Sequence, residues 1–535
     1  MQPTVPSSTT QTWLAARQVT WFSAAPQVKL PVQGPVWTVL SHEIVGPLLL
    51  LVQPKRKRRA LAGATNEDRS TGTSSAGWYR SAGIAATTAQ DLGLVARDRA
   101  VAEPHSRRAP LTIVGRFAST LPGFSSIAAR PPAHAPSMNI VAGIDALALA
   151  VPRSYLDLAD LAAARGVPAS KYTAGLGTHR MCVAGADEDP VTLATDAARR
   201  ALRLSGCDPA EIGLAIVGTE TAVDHSKPVA AFLHGLLGLG SACRVFETKH
   251  ACFGGTAGVL SALDWIASGS ARGRAALVVC SDIARYSVGS AGEPTQGAGA
   301  VAMILRERPR LLELEVGRGG SYARDVYDFW RPLDRKDALV DGHFSVQCYL
   351  DALSGAYGEW RKGALPGDEP LARTCYHVPY GKMARKAHRQ RKSLDGLDEQ
   401  AADASFAVEV ERSLDLPSRV GNIYTGSLYL ALASLLHAEV DAVVGKRIGL
   451  FSYGSGCTAE FFAGRVPASA PEMVRRLDLA APIDACRRLS VPEYEALRRS
   501  DAGADRRPAP KDTAAGHALA FLGIDEGERR IYGQA

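Results

Sequence analysis

The stretch ETKHACFGGTAGVLSALDWI, Glu247 to Ile266, combines a reactive residue type with a turn that could activate it. Its pattern predicts a strand ending near Lys249, Cys252 on the turn, and two glycines opening a long alanine-rich helix. Unpaired backbone N–H groups and the positive helix end near the sulfur predict a thiol pKa below the usual ~8.5. Gly254, Gly255 and Ala257 are small enough to predict room for a thioester to approach. The same context also suits a buried small hydrophobe, so the case for a nucleophile depends on its partners.

Acid and base candidates are few. Glu220 in IVGTETAVD directly follows an apolar run, where an unneutralised carboxylate is costly unless it lines a cavity, caps a helix or pairs with a cation. His377 in RTCYHVPYGK lies between a strand end and Pro379, where its ring could face a pocket. His250, two residues before Cys252, reads as structural. The turn in FSYGSGCTAEFF could aim a backbone N–H from Gly454 to Gly456 at an oxyanion, although a plain tight turn has the same signature. Together, a cysteine, a glutamate and a histidine at strand ends fit acyl transfer with proton abstraction alpha to a carbonyl.

The elements that must hold these residues emerge from Met138 onward. Apolar strand-like runs alternate with alanine-rich helical runs: Asn139 to Pro152 as a strand, Asp189 to Leu202 as a helix with Pro190 at its start, Ile212 to Gly218 as a covered strand. The pattern returns after Asp341, through a charged helix around Lys382 to Lys392, a helix over YTGSLYLALASLLHA and a strand over RIGLFSYGSG. This grammar predicts a layered α/β enzyme with two similar halves, 138–340 and 341–535, and a tail from about 465 lying on the surface.

Composition narrows the class. The chain has 535 residues, too many for one ordinary core. Its net charge of +7 is concentrated in residues 1–137, where 15 Lys plus Arg face 6 Asp plus Glu, leaving the rest at −2. Bulk charge therefore selects no nucleic acid for the ordered part. Residues 1–137, with the basic run Lys55 to Arg59, have no period and read as a disordered extension or a mis-assigned start. All nine cysteines follow residue 137 and show no CxxC pairing, which predicts neither a disulfide framework nor a zinc site and fits a reducing cytoplasm. Phosphate-loop and dinucleotide fingerprints are absent from the sequence, as is an apolar run long enough to span a bilayer.

Several long strings carry a resemblance: KYTAGLGTHRM, VGTETAVDHSK, ACFGGTAG, GEPTQGAGAVAM, DVYDFWRP, HVPYGK, GNIYTGSLYLALASLL, RIGLFSYGSG and the closing GERRIYG. On these, residues 139 to about 464 resemble the hydroxymethylglutaryl-CoA synthase family of thiolase-like condensing enzymes. The resemblance implies a thiolase-like αβαβα fold, Cys252 as the acylated cysteine, Glu220 as general base and His377 as the catalytic histidine. It further implies substrate-side roles for Asn422 and Ser455, a supporting role for Asp282, and Lys382 and Lys386 at the mouth of a CoA tunnel; by themselves those lysines read as a solvated helix face. It implies no cofactor or metal, CoA thioesters as substrates and a cytoplasmic homodimer binding neither nucleic acid nor membrane. Phe253 departs from the pattern, because many members carry Tyr after the cysteine. A sister group acting on acyl-carrier-protein thioesters in polyketide beta-branching is the alternative; a non-catalytic scaffold of the same fold is more remote, because Cys252, Glu220 and His377 are all present.

Overall fold

A computed structural model describes residues 140–501 and 519–534; the readings of residues 1–137 and of Lys55 to Arg59 lie outside the described residues. The strand-like runs form one large mixed sheet. Its ten strands are β1 (Ala142–Ala150), β2 (Ile212–Gly218), β3 (Arg244–Thr248), β4 (Ala275–Ile283), β5 (Ala298–Glu307), β6 (Leu312–Leu314), β7 (Gly320–Ala323), β8 (Leu371–Tyr376), β9 (Arg447–Gly454) and β10 (Thr458–Arg465). They lie in the order β8-β9-β10-β6-β1-β5-β4-β2-β3, with β7 beside β10. Pairing is parallel where β2 meets β3 and β4 and where β8 meets β9, and antiparallel elsewhere.

The helices on this sheet are α1 (Pro190–Ser205), α2 (Gly254–Ala267), α3 (Gly342–Lys362), α4 (Gly381–Leu394) and α5 (Ser427–Val443). Strands β2 and β4 are buried at every residue, as the apolar runs of β2 and of Ala275 to Cys280 in β4 require when both faces are covered; β4 then carries Ser281 and Asp282 into the interior. Helix α5 is buried at every position from Ser427 to Leu436, matching a helix apolar on all sides. Helix α1 is capped by Asp189, whose Oδ1 accepts from the N–H groups of Val191 and Thr192, and it carries Pro190 in its first turn. The other oxygen of Asp189 accepts from Tyr532 (2.7 Å) and Arg530 (2.8 Å), so the hairpin of Ala520–Ile524 and Arg530–Gly533 is fastened to that cap. Among the described residues, no helix is long and apolar enough to cross a membrane.

The tail corrects the sequence reading. Beyond residue 465 the chain does not simply lie on the surface: Met473, Leu479, Ile483, Leu489 and Tyr494 are each at most 2% exposed. Arg487–Leu489 adds a parallel strand to Ser154–Asp157, which pairs in turn with Arg180–Val183. The abundant Ala, Arg and Asp concealed these few apolar anchors, whose spacing in short helices gives only a weak period.

Helix α2 approaches β2 closely enough that backbone touches backbone. A Cβ built on Gly218 would lie 2.4 Å from the Gly255 nitrogen, and one on Gly255 would lie 2.4 Å from the Cys280 sulfur and 2.7 Å from the Thr425 carbonyl oxygen. Gly255→Ala is therefore expected to destabilise by about 1–3 kcal/mol through overpacking. Gly358→Ala, in mid-helix α3 with nothing within 4 Å of the added carbon, is expected to be neutral or to stabilise by up to about 1 kcal/mol. Urea unfolding of both variants checks the contrast; equal effects would contradict the close-contact account.

Candidate active site

The carboxyl ends of the parallel strands β2 and β4 lie side by side, with Gly218 in register with Cys280. The residues that follow each strand therefore meet at one edge of the sheet. Asp282, fully buried, has five donor groups within hydrogen-bonding distance of its two oxygens. The Thr219 hydroxyl (2.9 Å), the Glu220 N–H (2.9 Å) and the Thr221 hydroxyl (2.8 Å) surround Oδ1. The Thr425 N–H (3.1 Å) and hydroxyl (2.5 Å) reach Oδ2. Burial pushes the Asp282 carboxyl up while these donors pull it back. Both of its oxygens meet protein donors, among them the Glu220 N–H.

The Glu220 side chain faces the turn that carries Cys252. The Cys252 thiol donates to Glu220 Oε1 at 3.2 Å, and Arg331 donates to Glu220 Oε2 at 3.2 Å and to its backbone carbonyl at 2.6 Å. Burial, then the charge of Asp282, push the Glu220 carboxyl up to about 7, against the pull of Arg331 and the thiol. The cysteine shifts opposite to the sequence reading. Burial and the adjacent Glu220 carboxylate push its thiol well above the ordinary value, outweighing the end of α2. The resting pair is thus a protonated thiol beside a carboxylate whose ionisation falls near neutral pH.

The backbone around the sulfur is set by close contacts. Ala251 has φ 40°, a left-handed conformation that the turn imposes on a residue with a side chain, and the Phe253 N–H closes onto the His250 carbonyl at 2.9 Å. Gly254 and Gly255 are both buried, against Thr248, Gly218, Cys280 and Thr425. Their small size is used to seat the helix, which corrects the expectation that it clears a path for substrate. Phe253 sets its ring edge-on to His250, 6.2 Å between centroids, and the His250 Nε2 is buried without a hydrogen-bond partner among the described residues.

The second turn lies directly against the first. A Cβ on Gly454 would come within 2.4 Å of the His250 carbonyl oxygen and 2.7 Å of the Phe253 nitrogen. Ser455, at the tip, is partly exposed, while the Gly456 N–H donates to Asp328 Oδ1 at 2.9 Å and so is not the N–H that meets an oxyanion. Asp328 Oδ2 also accepts from Tyr453 at 2.7 Å and Ser345 at 3.1 Å, which anchors the turn to the start of α3.

His377 follows β8 and is 3% exposed; its N–H donates to the Phe451 carbonyl (2.8 Å) and its own carbonyl accepts from Tyr349 (2.8 Å). Burial pulls its ring down to about 3, so the imidazole is neutral at physiological pH. Asn422 is held by its Oδ1, which accepts from the Tyr424 N–H (2.9 Å) and the Ser427 hydroxyl (2.8 Å), leaving its NH2 as the group it can offer a ligand. The loop it belongs to reaches α2 through Thr425. Lys382 and Lys386 are exposed on one face of α4, separate from the buried cluster.

Arg331, Asp328 and the aromatic residues Tyr286, Phe329 and Tyr424 escaped the sequence reading. Their rings succeed one another at 6.2 and 5.8 Å between centroids, and the Arg331 guanidinium lies 6.0 Å from the Tyr424 ring. The available signal was DVYDFWRP, two acidic groups and an arginine set among aromatic residues in eight positions.

The chain is similar to known proteins over most of its described length. The family model described as hydroxymethylglutaryl-coenzyme A synthase N terminal matches residues 139–309, and its C-terminal counterpart matches 312–395 and 384–502. The hydroxymethylglutaryl-CoA synthase of Enterococcus faecalis is 39% identical over 355 residues, covering 66% of this chain and 91% of that protein. The polyketide biosynthesis 3-hydroxy-3-methylglutaryl-ACP synthase PksG of Bacillus subtilis (strain 168) is 34% identical over 374 residues, covering 67% and 88%. The solved structure of MvaS in complex with 3-hydroxy-3-methylglutaryl coenzyme A matches with a TM-score of 0.70 and 49% identity, covering 74% of this chain and 100% of that one.

Replacing Asp282 tests its support of the site. Asp282→Ala strands the buried Thr221 hydroxyl and the Glu220 and Thr425 N–H groups and is expected to cost about 3 kcal/mol or more, whereas Asp282→Asn, which retains one acceptor oxygen, should cost less. Denaturant midpoints measure both, and an Asp282→Ala variant as stable as the parent would overturn the assignment.

Proposed function

The chain belongs to the hydroxymethylglutaryl-CoA synthase family, and on that premise we propose how its own residues carry out the family's reaction. The chain is a condensing acyltransferase: it joins acetyl-CoA to acetoacetyl-CoA with water, giving 3-hydroxy-3-methylglutaryl-CoA and CoA, the condensation of the mevalonate pathway. The observation that carries the residue assignments is the 3.2 Å contact between Cys252 Sγ and Glu220 Oε1.

In the first step the Cys252 thiol proton passes to Glu220 as sulfur attacks the acetyl thioester, and the same proton leaves with CoA as its thiol. The product is acetyl-Cys252 with Glu220 again ionised. Glu220 then takes a proton from the acetyl methyl, the resulting carbon nucleophile attacks the ketone of acetoacetyl-CoA, and the alkoxide so formed takes up the proton held by Glu220 to become the 3-hydroxyl, leaving Glu220 ionised again. Neutral His377 donates a hydrogen bond to that ketone, and the Asn422 NH2 holds the adjoining thioester carbonyl. The N–H of Ser455 faces the oxygen of the acetyl thioester. Water finally cleaves the bond to sulfur, freeing the product and restoring the thiol. Asp282 supports Glu220, and Lys382 and Lys386 meet the CoA phosphates from the exposed face of α4.

We extend the proposal to the whole molecule. The catalytic unit consists of two related halves, 138–340 and 341–535, and works as a homodimer in the cytoplasm. Residues 1–137 lie outside that unit, since the family match starts at residue 139. A chain beginning at Met138 should remain dimeric by light scattering and retain full activity, and its loss of activity would overturn the boundary.

Acetyl-CoA carrying an isotopic label should leave one thioester per chain on the Cys252 peptide, and none after Cys252→Ser. Glu220→Ala is expected to slow condensation from preformed acetyl-enzyme by about 10² to 10⁴-fold, with a smaller effect on acetylation. His377→Ala should impair use of the acetoacetyl thioester more than acetyl-enzyme formation; equal losses would assign His377 to structure. Since a base must be ionised and Glu220 is pushed up to about 7, condensation should fall about tenfold per pH unit below that value. A pH-independent rate between 5 and 8, on the order of three units, would contradict Glu220 as the base.

The similarity to the acyl-carrier-protein enzyme of Bacillus subtilis keeps one second reading in view. The exposed cations of α4 could equally meet an acidic carrier protein. Turnover of acetoacetyl-CoA compared with acetoacetyl-carrier protein separates the two, and efficient turnover of CoA thioesters is expected.

A further inference from the structure

The residue Glu220 is gripped at every polar group. Its N–H is taken by Asp282, its carbonyl by Arg331, one carboxylate oxygen by Arg331 and the other by Cys252. Only one of these partners is a cation. Arg331 comes from the loop after Phe329–Trp330, and its side chain is 15% exposed against 6% for Glu220. A single guanidinium nitrogen, Nη2, reaches both the carbonyl and Oε2. That fixes the side chain relative to its own backbone and leaves Oε1 facing the sulfur.

We infer that Arg331 is a positioning residue for the condensation, clamping Glu220 by backbone and side chain so that its free oxygen is presented as a base to the group on Cys252. The inference rests on Glu220 being that base. The groups facing Glu220 from the packed elements are Asp282 from the end of β4, Cys252 from the nucleophile turn, Tyr286 from the loop after β4, Tyr424 from the loop before α5, and Arg331 itself. Among these, Asp282 and burial oppose ionisation, while Arg331 and the thiol favour it. The Arg331 guanidinium also lies 6.0 Å from the centre of the Tyr424 ring, at the edge of cation–π range.

A lysine cannot reproduce the grip. An ammonium keeps the charge, but it sits one bond nearer its own backbone than Nη2, and it lacks the planar guanidinium that lies 6.0 Å from the Tyr424 ring, so it does not reach the carbonyl and carboxylate from the same place. Charge and aim are therefore separable by substitution. Arg331→Met removes both, and Arg331→Lys keeps the charge.

The test follows Glu220 directly. Its carboxylate band in infrared difference spectra is identified by its loss in Glu220→Gln, then titrated in the parent, Arg331→Met and Arg331→Lys. The acid limb of condensation from preformed acetyl-enzyme is measured in parallel. In Arg331→Met the ionisation is expected to move up by about 1–3 pH units, with the kinetic limb moving alongside. In Arg331→Lys the ionisation should return close to the parent while the plateau rate stays at least about tenfold low, since aim is not restored. An unmoved carboxylate titration in folded Arg331→Met overturns the inference, as does full recovery of the plateau by lysine. If the carboxylate moves and the kinetic limb does not, Arg331 still governs Glu220, and it is the assignment of Glu220 as base that fails. If Arg331→Met does not fold, the plateau of Arg331→Lys decides alone.

Discussion

A single buried carboxylate organises the site. Asp282 sits at 0% exposure at the end of a central strand, and an ion there is tolerated only because donors from two different parts of the chain converge on it. Thr219, Glu220 and Thr221 come from the neighbouring strand end, and Thr425 comes from the loop about 140 residues further along the chain, a separation of 143. Satisfying Asp282 therefore draws the Asn422 loop onto the strand that carries Glu220. Neither piece has a local reason to be where it is.

The same constraint explains the electrostatics. Asp282 adds a negative charge behind Glu220, and burial adds to its effect, so Glu220 would lose its ionisation were Arg331 not opposite. The thiol beside it holds its proton for the same reasons. A cysteine and a carboxylate in contact within a site of low polarity share one proton between them. A proton acceptor is thus in place for the thiol before any substrate arrives. The helix end under Cys252 is not the dominant influence, because a carboxylate at hydrogen-bonding distance acts more strongly than partial charges spread over a helical turn.

Close packing supplies the remaining precision. Gly218 and Gly255 let helix α2 lie against β2 without side chains between them, and Gly454 lets the second turn rest on the first. Most of these contacts are to backbone atoms, with the Cys280 sulfur against Gly255 and the Phe253 Cβ against Gly454, so the nucleophile turn is seated on closely packed groups. Asp328 does for the second turn what Asp282 does for the first, binding Gly456, Tyr453 and Ser345 together.

Much of the fold was legible in the sequence, because continuous apolar runs can only be covered strands and a helix apolar on all sides can only be central; β2, β4 and α5 appear where such runs lie. Cys252 and Glu220 stood out as well, since a cysteine at a strand-to-helix turn and a carboxylate after a buried strand each depart from local expectation, and the structure brings the two into contact. The burial of the tail was not legible, because its anchors are scattered among polar residues. Nor were the roles of Arg331 and Asp328, the direction of the thiol shift or the use of the glycines. Each of those depends on what lies across space: Arg331 meets Glu220 from 111 residues away, and a charge acts through distance and burial that no local pattern encodes. Residue types and their periodicity set which groups the chain could bring to chemistry, and the tertiary contacts alone decided which of them face one another, at what distance and in what state of charge.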